Sequence, residues 1–515
     1  MPLPVHELRP HGAGLAGCRS RAPFRYSTPH PIRAALWTLP RREEQSVNSK
    51  SGGTPTTRRQ FLHTTAGTVA GATLVNSARG AEALPQTARS AARVLGANDR
   101  IRLGFIGCGM QFEVLLRRGF LPRRERENDI DLVEVCDVWQ PRVDNAKTKT
   151  GAERAGRDYQ ALLARPDIDG VVIVVPDHLH YPIARAALLA GKDVYLEKPM
   201  TYTIDEAAKL HDLVQQTGRM LQVGGSGVNT PLHWKLHDYV AAGKMGKVAW
   251  GLISYNRNTA DGMWDYPIPG IGGQAWPDAP VTRENLDWQA WLGGAKKRPF
   301  SAERYFRWRK FWDYSGGNAT DLLFHRLGAL SAIVGFDFPT RVVGAGGIYV
   351  QKNREVPDTY MTTVEYPGEY CFNMVSCMAN ADSAPITVYG NWGTLQVVPE
   401  VRKPGDAAQR GRPGMRGVVR AERPFLEKFK EANGGLAEVE ITSDEPTEDL
   451  ADNWLNSMRS RKAPIYDVLK GYQVTVAIQL GVQSYREGRA MGFDPQSRRV
   501  LARPADRPEF PPRDS

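Results

Sequence analysis

The sequence predicts an α/β domain on a parallel sheet, followed by an α+β domain on a mainly antiparallel, open sheet. Three observations carry this reading. Between residues 100 and 223, short apolar runs alternate with helix-like segments. The first of those runs, at 101–106, leads directly into Gly107-Cys108-Gly109. After Gly224 the alternation stops, and strand-like runs separated by turn residues take over.

In order, strands are expected at 101–106, 131–135, 171–175, 193–196 and 220–223. Helices fill the gaps, notably at 184–190 and 204–216. Nearly continuous apolar strands in such an alternation imply a sheet covered on both faces. Beyond Gly224 come a helix at 231–242, a strand at 248–256 and an aromatic-rich loop region at 259–314. A helix at 318–334 and strands at 341–350, 359–366, 370–378 and 386–398 follow. Pro367-Gly368 and Asn391-Trp392-Gly393 supply the turns. Residues 403–417, rich in Gly, Arg and Pro, read as a loop, 447–461 and 468–489 as helices. The domains are placed at 99–224 and 225–497, with a leader at 1–83 and an irregular tail at 498–515. An open sheet in the second domain favours a homo-oligomer, since an uncovered face or edge seeks a partner.

The net charge of +11 is concentrated at the start. Residues 1–83 hold 11 Lys and Arg against 4 Asp and Glu, leaving +4 for the rest. No basic stripe interleaved with aromatics appears, so a nucleic-acid partner is not expected. Thr57-Arg58-Arg59-Gln60-Phe61-Leu62, a weakly apolar run at 64–75 and Ala81-Glu82-Ala83 resemble a twin-arginine export signal. That implies the twin-arginine machinery as a partner and a periplasmic or extracellular destination. The apolar run is too short for a stable membrane span. The residues before Arg58 read as a disordered leader or as the result of a misplaced start codon. The five cysteines, Cys18, Cys108, Cys136, Cys371 and Cys377, form no disulfide pattern.

The chemistry begins at the glycine loop. Gly107 permits the tight turn, and Gly109 lets the N–H groups near Met110 and Gln111 approach a pyrophosphate. Phe112 replaces the third glycine of the usual dinucleotide fingerprint. Asp137 ends the second strand and is placed to accept the ribose hydroxyls. Its charge would repel a 2′-phosphate, so NAD is favoured over NADP. It lies 28 positions after Gly109, more than usual, and the charged insert at 123–129 accounts for the excess. The first domain is thus read as a Rossmann dinucleotide-binding domain.

Two further stretches are more specific. Val174-Val175-Pro176-Asp177-His178-Leu179-His180 precedes Tyr195-Leu196-Glu197-Lys198-Pro199. Downstream stands Gly316-Gly317-Asn318-Ala319-Thr320-Asp321-Leu322-Leu323-Phe324-His325. Together these resemble the Gfo/Idh/MocA oxidoreductase family over about 100–495. The resemblance implies that Lys198 lies beside the nicotinamide and the substrate. It implies that Pro176, His180 and Glu197 belong to the cofactor pocket, and that Pro199 shapes the turn. It gives His325 an acid/base role and Asp321 the task of orienting it or the substrate. The i, i+4 spacing of that pair on a helix agrees with this, and no further cluster supports a metal. Asp287–Gly293, Trp308–Tyr314 and Ser457–Lys462 resemble the exported bacterial branch.

The expected function is oxidation of a CH–OH group in a sugar, cyclitol or glycoside, with a tightly retained cofactor. Trp264, Trp276, Trp288, Trp291, Trp308 and Trp312 fit sugar stacking, although several would serve the core. The alternatives are a redox-neutral NAD-dependent glycosidase or epimerase, and a non-catalytic sugar-binding or scaffold protein.

Overall fold

The computed structural model describes residues 99–268, 279–399 and 414–501. The export-signal motif, Trp276 and most of the expected loop at 403–417 lie outside them. No helix among the described residues is long and apolar enough to cross a membrane.

The first sheet contains β1 Ile101–Ile106, β2 Ile130–Cys136, β3 Arg154–Gly156, β4 Gly170–Ile173, β5 Asp193–Leu196 and β6 Leu221–Val223. Every pairing is parallel, in the order β3-β2-β1-β4-β5-β6. This is the doubly wound dinucleotide-binding order. Its topological switch point lies between β1 and β4, and the crevice at their carboxyl ends is where ligands bind. β4 is buried at every position, which explains its unbroken apolar run.

Phe112 does not leave the space a glycine would. It is buried against Phe105 in an edge-on contact, with ring centres 5.4 Å apart. Phe120, Tyr195 and Trp454 extend that cluster. The helix starting at Met110–Leu115 then runs through a π turn, Leu116–Phe120, into Leu121–Glu127. Close packing occurs at Gly119 instead. A Cβ there would stand 2.9 Å from the Cβ of Ala451.

Ala451 belongs to the helix Leu450–Ser460, which returns from the second half of the chain to cover the first sheet. Its Leu450, Trp454, Leu455 and Met458 join the core around Phe105. Arg461 then pairs with the buried Asp193 of β5 at 2.7 Å. The linear division at 224/225 therefore leaves the first sheet without one of its covering helices.

The second sheet holds β7 Val248–Ser254, β8 Arg341–Gly347, β9 Thr359–Tyr366, β10 Tyr370–Cys377, β11 Ile386–Gly390, β12 Gly393–Pro399, β13 Met415–Ala421, β14 Glu438–Ile441, β15 Met491–Asp494 and β16 Arg499–Leu501. The order is β14-β13-β12-β11-β7-β10-β9-β8-β15-β16. Only the central β7–β10 pair is parallel. Two expectations change and one strand is added. Met415 to Gly417 belong to β13 rather than to a loop. β14, Glu438-Val439-Glu440-Ile441, alternates polar and apolar residues but is only four residues long, and its edge pairing with β13 makes it a strand. The tail is not irregular throughout, because β16 pairs antiparallel with β15. The helices Pro231–Ala241, Phe324–Val334 and Val468–Glu487 pack on one face. Val343 and Met361 stand exposed on the other.

Candidate active site

The glycine loop is held from two sides. Gly107 adopts φ +91°, and a Cβ there would lie 2.2 Å from the carbonyl oxygen of Val174. Only glycine fits such a position. Asp137, at the end of β2, accepts the Cys108 N–H at 2.7 Å and the Trp139 N–H at 2.9 Å. Its carboxylate thus ties the loop to the second strand while it also lines the cavity. Gln111 Nε2 donates to Glu197 Oε1 at 3.0 Å, joining the loop to the turn that carries Lys198.

A strap at 285–314 spans the same crevice. Asn285 O accepts the Gln140 N–H, and Asp287 N–H donates to Val138 O, both at 2.9 Å. Leu286 forms a bridge with Trp139. On the other side, His178 Nε2 lies 3.0 Å from Trp291 O. Trp139, Trp288, Trp291, Tyr305, Phe306 and Tyr314 form an apolar cluster under the strap. Beneath it, Arg142 donates to Tyr305 Oη at 2.9 Å and reaches over Gly109. Its buried Nε has no partner among the described residues.

The cavity enclosed by these elements measures about 690 Å³. It runs from Gly107, Gly109, Met110 and Gln111 past Asp137 and Pro176 to Glu197, Lys198, Tyr266, Trp308 and Arg309. Of the described tryptophans in the aromatic region, Trp291 and Trp308 line it. Trp264 is buried in a separate cluster, and Trp288 stacks on Trp291. His180 is not on the cavity wall. It is buried, with Nδ1 2.5 Å from Pro199 O and Nε2 2.8 Å from Val175 O. Burial pushes its imidazole down to about 4. The ring thus braces the Lys198–Pro199 turn, whose peptide bond is cis.

At the far end stands an ionic centre. Lys198 Nζ donates to Asp321 Oδ1 at 2.6 Å and to Asp321 O at 2.8 Å. Arg309 Nε donates to the same Oδ1 at 3.0 Å. Asp321 comes from a π turn, Ala319–Leu323, and Arg309 from a 3₁₀ turn, Trp308–Lys310. Burial alone would raise the Asp321 carboxyl. The charges of Arg309 and Lys198 outweigh it and hold the group well below the usual carboxylate range.

The expected Asp321–His325 partnership does not form. His325 Nδ1 instead accepts the backbone N–H of Ser226 at 3.1 Å, with Ser226 Oγ also 3.1 Å away. A backbone N–H can only donate, so Nδ1 carries the lone pair and the neutral ring is protonated on Nε2. Burial, then the Lys198 charge, push this imidazole down to about 3, against the pull of Asp321.

Asp177 is a further buried carboxyl. Its Oδ2 accepts from Ser315 Oγ at 3.0 Å and Thr320 Oγ1 at 2.9 Å, linking the helix Asp177–Leu189 to the Asp321 turn. Burial raises it to about 6, although Arg309 and Lys198 oppose this. The folded pKa exceeds the unfolded one, so the folded state holds more protons. Stability from this group is full below about pH 4 and falls as pH rises through about 6. Asp177→Asn should remove that slope. Denaturant melts of both proteins from pH 4 to 7 should diverge by roughly 2 kcal/mol. Parallel curves would show that Asp177 does not titrate there.

Arg309, Arg142 and Ser226 were not legible as site residues in the sequence. Arg309 lies in the aromatic run 308–314, but no spacing there singles out one basic residue. Ser226 enters through its backbone, which leaves no sequence signal.

The residues fit an NAD-type dinucleotide. The glycine cradle excludes a Cβ, the polar Asp137 lines the cavity at the end of β2, and a buried guanidinium nitrogen of Arg142 has no partner among the described residues. Comparison with known proteins agrees. The description "Oxidoreductase family, NAD-binding Rossmann fold" matches residues 101–225, and "Oxidoreductase family, C-terminal alpha/beta domain" matches 294–493. Fold and site thus define a two-domain NAD-binding oxidoreductase scaffold. The chain belongs to the Gfo/Idh/MocA family.

Among curated relatives, it is similar to a glycosyl hydrolase family 109 protein of Streptomyces filamentosus, 30% identical over 40% of this chain and 47% of the relative. It is also similar to dTDP-3,4-didehydro-2,6-dideoxy-alpha-D-glucose 3-reductase of Actinomadura kijaniata, 35% identical over 29% of this chain and 43% of that protein. The chain thus spans less than half the length of these relatives. Among solved structures, the WlbA dehydrogenase of Bordetella pertussis in complex with NADH and UDP-GlcNAcA superposes with TM-score 0.53 at 18% identity, over 77% of this chain and 99% of that one. Aldose-aldose oxidoreductase of Caulobacter crescentus gives 0.53 at 18%, over 76% and 100%. At these identities the structures show the shared fold.

Proposed function

We propose that the protein is an NAD-dependent oxidoreductase acting on a CH–OH group of a sugar, cyclitol or glycoside. The carrying observation is the continuous cavity that joins the glycine loop to Lys198 and Arg309. Gly107, Gly109, Met110, Gln111, Asp137, Arg142, Pro176 and Glu197 would hold the dinucleotide. When bound, its nicotinamide supplies the acceptor and donor of the reducing equivalents.

The chain's own residues manage the proton. Lys198 uses two N–H groups on Asp321 and has one left for a substrate oxygen. In the reductive direction it gives that proton to the oxygen that becomes the hydroxyl. In the oxidative direction, after releasing a proton to solvent, it takes the hydroxyl proton. Asp321 holds the amine in place with Arg309. His325 supplies a neutral N–H from Nε2 that stabilises charge on the same oxygen. It is a hydrogen-bond donor here, since its one lone pair is already taken by Ser226.

This division of labour is testable. His325→Gln keeps a donor and should retain turnover within about tenfold of wild type, whereas His325→Ala should lose on the order of 10²-fold. Equal loss in both, together with removal of an acidic limb from the pH–rate profile, would restore the histidine to a base role.

The strap supports a retained cofactor. It is bonded to the Rossmann domain on both sides of the crevice, so exchange requires those contacts to open. Retention also suits export of a folded, loaded protein, the reading favoured by Arg58 and Arg59. Arg58→Lys with Arg59→Lys should leave the protein in the cytoplasm, and normal export of the double variant would end that reading. The exposed Val343 and Met361 face suits self-association.

Denaturing release of nucleotide from purified protein, read by mass spectrometry, tests the core of the proposal, and NAD is the expected product. A panel of sugars, inositols and aryl glycosides should then change the bound nicotinamide absorbance near 340 nm. A redox-neutral glycosidase is the second reading, favoured by the strap and by the relatives named glycosyl hydrolase family 109. Glycoside cleavage with no net absorbance change would select it. Absence of any bound or loadable nucleotide would defeat both.

A further inference from the structure

We propose that the substrate of the Lys198 site carries a carboxylate, as in a uronic or aldonic acid, and that Arg309 binds it. The site's location rests on the oxidoreductase reading above; the anionic substrate class does not follow from that reading. Arg309 spends its Nε on Asp321. Its two Nη groups make no hydrogen bond among the described residues, although the residue lines the cavity beside Lys198. The guanidinium carbon lies 4.1 Å from the centre of the Trp308 ring. A ring against its face and an aspartate at its edge fix the plane of the fork. A fixed planar fork with free N–H groups matches the two oxygens of a carboxylate.

The charge balance points the same way. Asp321 is a single carboxylate shared by two cations, at 2.6 and 3.0 Å. That leaves one positive charge among the three, which Asp177 offsets only above about pH 6, where it ionises. Asp177, the next carboxyl, is buried and spends Oδ2 on two hydroxyls. Beyond His325 stands Arg257, exposed, over the Tyr255 ring at 4.9 Å and hydrogen-bonded to its hydroxyl at 2.7 Å. It forms no ion pair among the described residues, and its charge is felt at His325. A neutral pyranose requires none of these cations, and desolvating a guanidinium fork against neutral hydroxyls gains little. A phosphate ester is the other source of negative charge. A single fork standing close to two carboxyls, Asp321 and Asp177, suits a monoanion better than a dianion.

Titration calorimetry on the full chain with its bound nucleotide tests this, using glucose, glucuronate, gluconate and glucose 6-phosphate as probes. A sugar acid should bind at least about tenfold more tightly than the neutral sugar, and less tightly as salt rises. Arg309→Gln should erase the preference, and Arg309→Lys should keep only part of it. Both should retain wild-type nucleotide content. Arg257→Ser, at an exposed side chain, should weaken acid binding by about threefold while the thermal melt stays near wild type. Equal binding of acid and neutral sugar by wild type would overturn the proposal, as would tightest binding of the phosphate. Loss of nucleotide in Arg309→Lys would assign the arginine to the cofactor and overturn it too. Absorbance near 340 nm in the same samples judges the oxidoreductase reading separately. Arg309-dependent acid binding with no absorbance response would keep this proposal and sink that reading. A response to neutral sugars alone would do the reverse.

Discussion

Lys198→Ala is expected to lose turnover by at least on the order of 10²-fold while keeping its nucleotide. The lysine sits at the end of β5, one residue from Glu197, on a turn braced from below by His180. Among the described residues at the Asp321 centre, its amine is the group with both a transferable proton and an N–H left for substrate. Arg309 does not give up its proton, and the His325 lone pair is occupied. Removing the amine also leaves Asp321 with Arg309 as its one remaining cationic partner. A stability loss is therefore expected, and the thermal melt must be read beside the kinetics. Retained nucleotide with retained turnover would remove Lys198 from the mechanism. Lost nucleotide would show that its role is in cofactor binding.

Gly107→Ala is expected to damage the fold itself, whereas Gly109→Ala should damage only nucleotide binding. At Gly107 a methyl would meet a carbonyl oxygen at 2.2 Å, and φ is +91°. Backbone must move, and the cost should be on the order of 3 kcal/mol. At Gly109 the nearest atom is the Arg142 Nη1 tip at 3.4 Å, and the backbone is extended at φ −83°. The added methyl is tolerated by the protein but fills space a pyrophosphate would use. Denaturant melts and released nucleotide, measured on both variants, should separate the two. Equal melting of Gly107→Ala and wild type would mean that the loop is not built as described.

Much of the first domain was legible because its signals are local. β4 is buried on both faces, so its run is continuously apolar; β1 breaks its run only at the half-buried Arg102, and Gly107 announces the turn between strand and helix. Lys198 was legible as a lysine at the end of a buried strand, whereas Glu197 entered only through the family resemblance. In the second half the signals weaken. β14 alternates Glu with Val439 and Ile441 over only four residues, too short a pattern to stand out, and it is a strand because β13 holds it at the edge. β16 is three residues long and exists through its pairing with β15.

The sequence by itself determined the alternating domain, the glycine cradle, and the residue types that meet at the site. Each of these depends on neighbours within a few positions, through backbone sterics and burial period. Only the tertiary structure decided who partners whom. Asp321 and His325 are four residues apart, yet the aspartate serves Lys198 and Arg309 while a backbone N–H from Ser226 claims the histidine. His180 was expected at the cofactor and instead braces the cis turn. Helix Leu450–Ser460 crosses back to cover the first sheet. Ion pairs and aromatic packing between residues more than a hundred positions apart follow from how the two sheets dock, and no local pattern records that docking.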